Sequence, residues 1–135
     1  LHTFKRCITY LFFWFNIEQI NKKKGIKMSK YLIAATYSAQ AMSGWIKEPN
    51  SDRVAAASGA AEKVGGKVLS ITFVRGKYDF IAEFDLPNFE AAAALKMITM
   101  SSGAFSEMDI MEPVDLNAVA DKASKAAAGY KAVGK

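Results

Sequence analysis

The order of strand and helix patterns is the feature that most restricts the fold of this chain. The segment Tyr31–Tyr37 is rich in β-branched and aromatic residues and contains no turn signal, which predicts a first strand. A helical pattern then extends to Gly65-Gly66, and two further strands are predicted over 67–75 and 78–86. A second helix begins after Pro87-Asn88. The pattern so far is therefore strand, helix, strand, strand, helix.

Three further elements complete the prediction of an α+β domain. A short helical turn over 39–46 precedes the first long helix, and Gly76-Lys77 leaves a gap of two residues that suits a tight hairpin. A fourth strand is predicted over 105–111, and Asp115 is placed to cap a last helix over 116–130. The order βαββαβ is that of the ferredoxin-like fold, here with an additional C-terminal helix.

Both faces of the predicted sheet are apolar, although a sheet with one solvated face should alternate apolar and polar residues. We therefore expect the second face to pack against another subunit, in a homodimer or a higher homo-oligomer. The alternating sets are Tyr31, Ile33, Ala35 and Tyr37 against Leu32, Ala34 and Thr36 in the first strand, and Leu69, Ile71 and Phe73 against Val68, Thr72 and Val74 in the second.

Residues 1–27 differ in composition from the rest of the chain. They hold six Lys and Arg, one acidic residue and no alanine, whereas residues 28–135 hold 12 basic residues, 12 acidic residues and 22 alanines. The apolar run from Ile8 to Phe15 is shorter than the ~20 residues of a membrane-spanning helix, and no signal-peptidase site follows it. We interpret 1–27 as upstream message read in frame before a start at Met28, with a disordered or amphipathic membrane-associating tail as the alternative. Residues 28–135 then form a single domain.

The composition of residues 28–135 argues against several kinds of chemistry. The only histidine, His2, and the only cysteine, Cys7, precede this segment. We therefore expect no metal site, no disulfide, no haem and no other cofactor in the domain. Its charges balance, which removes the attraction to nucleic acid or anionic membranes that the full chain's net charge of +5 suggests. We expect a protein of the bacterial cytoplasm with no nucleic-acid partner, and with a membrane contact only through residues 1–27.

The segment around the predicted hairpin resembles a known family. It reads Phe73-Val-Arg-Gly-Lys-Tyr-Asp-Phe-Ile-Ala-Glu-Phe-Asp-Leu-Pro87, with Met28-Ser-Lys-Tyr-Leu and Glu62-Lys-Val-Gly-Gly-Lys before it. In their order and spacing these segments are similar to the GYD domain family over about residues 28–116. The glycine, tyrosine and aspartate of the family name fall here at Gly76, Tyr78 and Asp79. The resemblance implies a relation to dimeric α+β barrel proteins and implies no established activity.

Four residues are candidates for acid–base catalysis: Tyr37, Tyr78, Asp79 and Glu83. In the functional interpretation Tyr78 and Asp79 lie at the mouth of a cavity between helices and sheet, where they hold or deprotonate a small molecule. Each also has a structural explanation. Gly76 would supply a positive φ to the turn and Asp79 would bind turn amides, while Tyr78 packs at the sheet edge and Glu83 belongs to a solvated strand face.

Three functions remain open at this point. The first is a small oligomeric module that binds a small apolar or mixed-polarity molecule, since no catalytic constellation is assembled in the sequence. The second, implied by the resemblance, is a cofactor-free oxygenase or isomerase of the dimeric α+β barrel type. The third and most remote is an RNA-binding module, because the RNA-recognition motif shares the βαββαβ order. Residues 75–84 match its third-strand pattern only with an inserted residue and a misplaced aromatic.

Overall fold

A four-stranded antiparallel sheet forms the centre of the structure. The computed structural model describes residues 27–134, together with residues 11, 12, 15–17, 19 and 25. The strands are β1 (Ser29–Tyr37), β2 (Lys67–Phe73), β3 (Phe80–Leu86) and β4 (Phe105–Met111). They lie side by side in the order β2-β3-β1-β4, with every neighbouring pair antiparallel. This order is ferredoxin-like and confirms the predicted fold class.

Within residues 27–134 the helices are α1 (Ala39–Lys47), α2 (Arg53–Lys63), α3 (Phe89–Ser101) and α4 (Leu116–Ala127). Helix α2 packs on β2, and α3 packs on β3, β4 and α2, so these two helices cover one face of the sheet. We call this the inner face and the opposite one the outer face. Helix α4 has no buried residue and ends three residues before the predicted end at 130. Among the described residues, no helix is long and apolar enough to cross a membrane.

Alanine allows α2 and α3 to approach the sheet closely. Ala61 of α2 and Ala92 of α3 are completely buried, and both belong to the core that Ile33 and Leu86 fill from the sheet. A methyl group also fills less space than a branched side chain, so a helix face made of several alanines leaves space over the sheet where the two layers are not in contact. The cavity described below lies at such a place.

The connection between β2 and β3 differs from the predicted tight hairpin. Strand β2 ends at Phe73 and β3 begins at Phe80, so a six-residue loop replaces the two-residue turn at Gly76-Lys77. The loop is closed by a hydrogen bond of 2.9 Å from the Val74 N–H to the Asp79 carbonyl. Tyr78 belongs to this loop and not to β3, and its hydroxyl reaches the Asp109 carboxylate of β4.

The side-chain alternation predicted for β2 is wrong, because a β-bulge shifts the register between Val68 and Ser70. A bulge adds one residue to one strand and so changes which side chains share a face. Val68 faces the core together with Ile71, and Leu69 is exposed at the bulge. The outer face of β2 is therefore polar, with Ser70 and Thr72, and the expectation of a second apolar face holds only around β1.

The division of the chain at Met28 falls on residues that the structure describes only in small part. The interpretation of 1–27 as upstream message, and its alternative of a membrane-associating tail, therefore lie largely outside the described residues and stay predictions.

Candidate functional site

A cavity of about 240 Å³ lies between the inner face of the sheet and helices α2 and α3. It opens to solvent where Ala56, Phe73 and Ile98 are exposed. Its volume is below the ~300–1,000 Å³ usual for drug-sized ligands, so the space suits a smaller molecule. The apolar lining comes from every layer around it: Ile33, Ile71, Phe80, Phe84, Phe105 and Met108 from the sheet, and Ala57, Ala60 and Leu95 from the helices.

Tyr37 stands at the centre of an aromatic cluster in the cavity wall. Its ring stacks on Phe105 with centroids 4.9 Å apart, and it makes edge or tilted contacts with Trp45 at 5.5 Å and Phe80 at 5.8 Å. Burial raises the pKa of the Tyr37 phenol, the nearby Arg53 guanidinium opposes this, and the Asp79 carboxylate adds to the rise. The phenol is therefore neutral at pH 7, which makes it a hydrogen-bonding group rather than a base.

Arg53 is the charged side chain in the cavity wall. Its Nε is buried and, within the part of the chain that the structure describes, has no hydrogen-bond partner. Besides the neutral Tyr37 phenol, the polar side chains of the wall are Thr99 and Ser102, and both are committed to the backbone of α3: the Thr99 hydroxyl donates to the Leu95 carbonyl at 2.8 Å, and the Ser102 hydroxyl donates to the Thr99 carbonyl at 2.6 Å. Arg53 is thus the polar group best placed to hold a ligand.

A second depression of about 350 Å³ adjoins the cavity. It is lined by α1 and by the segment that leads into β4, and it shares Arg53, Ser102 and Ala104 with the cavity. Its other lining residues include the charged pair Lys47 and Glu48. Arg53 therefore stands at the boundary between an apolar compartment and a polar one.

The four predicted catalytic candidates do not converge on one site. Tyr37 lines the cavity, whereas Tyr78 and Glu83 belong to the outer face of the sheet. Glu83 forms an ion pair of 3.6 Å with Lys30. Asp79 is the last residue of the loop before β3, where its carboxylate accepts a 2.8 Å hydrogen bond from the Tyr37 backbone N–H. The placement of Tyr78 at the cavity mouth is wrong, because its side chain extends away from the helices.

Tyr78 bridges the sheet on the outer side. Its hydroxyl donates to the Asp109 carboxylate at 2.5 Å, although Tyr78 precedes β3 and Asp109 belongs to β4, with β1 between them. This hydrogen bond is the main reason why the pKa of the Tyr78 phenol is raised. The Lys77 ammonium lies 5.3 Å from the centre of the Tyr78 ring, within cation–π range. The Tyr78 side chain therefore ties the loop to the far strand.

The motif residues Gly76, Tyr78 and Asp79 together fix the 74–79 loop. Gly76 has a positive φ of 157°, as predicted. Asp79 bonds β1 twice, by its carboxylate as above and by its N–H, which donates to the Ala35 carbonyl at 2.9 Å. It was expected to bind amides of its own turn, but its partner is a neighbouring strand. The Thr36 hydroxyl adds a bond of 2.9 Å to the Lys77 carbonyl.

Sequence reasoning did not identify Arg53. The signal was present in the spacing of Arg53, Ala56, Ala57 and Ala60, which places one cation on a helix face otherwise made of alanine. An alanine face indicates close packing or a void, and a cation at its end is the polar group next to that void. Over the described residues, no group of three or more His, Cys, Asp or Glu side chains is arranged to hold a metal ion.

The structure has a ferredoxin-like sheet and an apolar cavity under two alanine-rich helices. Its loop between β2 and β3 is held by hydrogen bonds to β1 and β4. These features define a ferredoxin-like α+β domain. The chain belongs to the GYD domain family, whose profile matches residues 31–123, and this confirms the resemblance. No curated protein is significantly similar to it in sequence. The crystal structure of MtbAldR superposes with a TM-score of 0.42 at 13% identity, over 64% of this chain and 52% of that one. This chain thus spans about half the length of that protein.

Proposed function

We propose that this GYD domain is a small oligomeric module that binds one small apolar or mixed-polarity molecule in the cavity under α2 and α3. The observation that carries the proposal is the cavity itself, about 240 Å³ with aliphatic and aromatic walls. Core packing normally leaves few voids larger than a water molecule. A void several times that size, connected to solvent, is characteristic of a binding site.

The arrangement of polar groups favours binding over catalysis. Catalysis by proton transfer needs an acid or base within hydrogen-bond reach of the substrate, with a pKa near the working pH. Of the four candidates only Tyr37 lines the cavity, and its raised pKa keeps the phenol protonated at neutral pH. The oxygenase or isomerase alternative therefore has less support than a binding role.

A neutral aromatic probe tests the proposal directly. We would titrate benzyl alcohol into the ¹⁵N-labelled full-length protein and follow backbone amide shifts by NMR. We expect saturable shifts at the cavity residues Ala57, Ala60 and Thr99, and unchanged amides at Ile81 and Glu83 on the outer face, which act as the internal control. Shifts confined to the outer face, or no saturation, would show that the cavity is not a binding site.

We further propose that the outer face associates with a second copy of the chain. Leu32, Ile81 and Met111 form an apolar patch across three strands around Ala34, which is 3% exposed; Ala34 is the register partner of Ile81, and Leu32 is that of Met111. Ile81 is 43% exposed and Met111 is 44% exposed. Side chains of this size on a sheet face exclude water when a second sheet covers them.

Charge on the outer face gives this dimer a specific signature. The strand residues of that face include two lysines and four carboxylates: Lys30, Lys67, Glu83, Asp85, Glu107 and Asp109. Because the face has more negative than positive charge, two identical faces repel each other. Added salt screens such repulsion, and we expect the dimer to strengthen as salt rises. Light scattering after size exclusion should show a dimer for the wild type and a monomer for Ile81→Lys. A wild type that stays monomeric at micromolar concentration and high salt would exclude the dimer.

A further inference from the structure

We propose that the ligand of the cavity is an organic anion, a carboxylate attached to a small apolar body, and that Arg53 binds its carboxylate. The proposal rests on the proposed function, since it requires that the cavity is a binding site, and it adds the chemical class of the ligand and the residue that selects it. Three features of the structure support it. The buried Nε of Arg53 has no hydrogen-bond partner within the described residues, and the hydroxyls of Thr99 and Ser102 already donate to carbonyls of α3. Arg53 also lines both the cavity and the adjoining depression.

Arg53 is held where an anion would complete its hydrogen bonds. Its side chain lines the cavity, and the buried Nε has no partner within the described residues. A buried donor without an acceptor is costly and rare in folded proteins, so an acceptor from outside the chain fits this position. The guanidinium group offers planar, parallel N–H donors that match the two oxygens of a carboxylate.

The remaining polar groups of the cavity do not compete for this role. The hydroxyls of Thr99 and Ser102 already donate to carbonyls of α3. Tyr37 is a neutral phenol close enough to Arg53 for the guanidinium to act on its pKa. On the cavity side, an anion at Arg53 thus meets one cation and one neutral hydroxyl, and the rest of the ligand meets hydrocarbon. This is the polarity pattern of a carboxylate on an apolar body.

The cavity limits the size of the ligand, and the adjoining depression determines how far its charge stays hydrated. The cavity equals about eight times the ~30 Å³ that one water molecule occupies in the liquid, which limits the apolar body to roughly the size of one ring. The adjoining depression shares Arg53 with the cavity and is open to water. The carboxylate can therefore keep part of its hydration while it is bound, which reduces the penalty of burying a charge.

A matched pair of probes tests the inference separately from the proposed function. Phenylacetate and phenylacetamide have the same shape and differ in charge, and we would measure both dissociation constants for the full-length protein by NMR titration. We expect the wild type to bind phenylacetate roughly ten- to a hundredfold more tightly, as charge-assisted hydrogen bonds imply. Arg53→Met keeps most of the apolar stem of the side chain. We expect this variant to bind both probes with the dissociation constant that the wild type has for phenylacetamide. Arg53→Lys should recover only part of the preference, because an ammonium group lacks the planar pair of donors.

The outcomes distinguish the two proposals. If neither probe binds the wild type, the proposed function itself is wrong. If both bind equally at the cavity residues, the binding function stands and the anionic class is overturned. If Arg53→Met keeps the preference for phenylacetate, another group selects the anion and the role of Arg53 is overturned. The wild-type comparison needs no variant, so it decides on the ligand class even if substitution of Arg53 disturbs folding.

Discussion

Filling the cavity with a larger side chain should stabilise the protein, and this is our most discriminating prediction. Ala57 lies on the cavity side of α2 and is partly buried against the core. In a well-packed core, Ala57→Leu would force neighbours apart and cost about 1–3 kcal/mol. If the cavity is present, the added carbons enter existing space and the sign of the effect reverses.

The size of the gain follows from the three carbons that leucine adds to alanine. Each buried methylene contributes about 0.8 kcal/mol, so three contribute about 2.4 kcal/mol. Ordering the leucine side chain costs about 0.5–1 kcal/mol, and the helix propensities of the two residues are nearly equal. We therefore expect Ala57→Leu to raise the free energy of unfolding by about 1.5–2 kcal/mol. For a domain of this size that corresponds to a rise in Tm of roughly 6–12 °C.

The assay is urea unfolding, followed by benzyl alcohol titration of the same variant. Ala118→Leu is the matched control, because Ala118 is exposed in α4 and the same carbons there enter water. We expect its stability to change by less than about 0.5 kcal/mol. The stabilised Ala57→Leu variant should also bind benzyl alcohol more weakly, since its side chain occupies the site. A destabilised variant that still binds the probe normally would refute the argument that the void is a binding cavity.

Three further predictions follow from individual contacts. A Cβ at Gly66 would lie 2.5 Å from the Asp85 carbonyl oxygen, so Gly66→Ala should lower the free energy of unfolding, measured in urea, by about 2–3 kcal/mol. The control Gly59→Ala has nothing within 4 Å of its new Cβ and should raise the free energy of unfolding by about 0.5–1 kcal/mol. Equal effects of the two substitutions would contradict the close approach at Gly66. Asn88 caps α3 through a 2.8 Å hydrogen bond, and Asn88→Ala should cost about 1 kcal/mol in thermal unfolding, with an unchanged Tm counting against the cap. Tyr78 has a raised pKa, so the stability it contributes is fully present below pH ~10 and is lost as the pH rises through the raised value. The stability difference between wild type and Tyr78→Phe should therefore be constant from neutral pH to about 9.5 and shrink above pH ~10, and a constant difference would contradict the hydrogen bond to the ionisable phenol.

The fold was largely predictable because each element carries a local signal of its own. Strand β4 occupies 105–111 and α3 begins after the Asn88 cap, both as predicted, since Pro87, Asn88 and Gly103 mark the element ends in the sequence. The register of β2 was not predictable. Leu69, Ile71 and Phe73 alternate with Ser70 and Thr72, so the local pattern favours an unbroken strand with Leu69 on the same face as Ile71, and nothing in it marks the shift after Val68. The bulge follows from pairing with β3, a contact that local patterns do not record.

The candidate site was less predictable for a related reason. A cavity is what several elements leave unfilled, and no single segment encodes it. The alanines of α2 and the aromatic residues of β1, β3 and β4 have ordinary local explanations, and only their meeting creates the space. Tyr78 and Asp79 stand out in the sequence because they match the family motif, at a spacing of two and three residues from Gly76. Their hydrogen bonds show that the spacing serves a loop that must both return to β3 and reach across β1.

Asp79 connects this loop to the cavity, although it does not line it. Its carboxylate holds the backbone N–H of Tyr37, the last residue of β1, and the Tyr37 ring forms part of the cavity wall against Phe105 and Trp45. At this position β1 also has an irregular register with β4, so the ladder alone fixes Tyr37 less firmly than its neighbours. The Asp79 hydrogen bond compensates for that irregularity. Asp79 thus supports the wall of the cavity through the backbone of Tyr37, without lining the cavity itself.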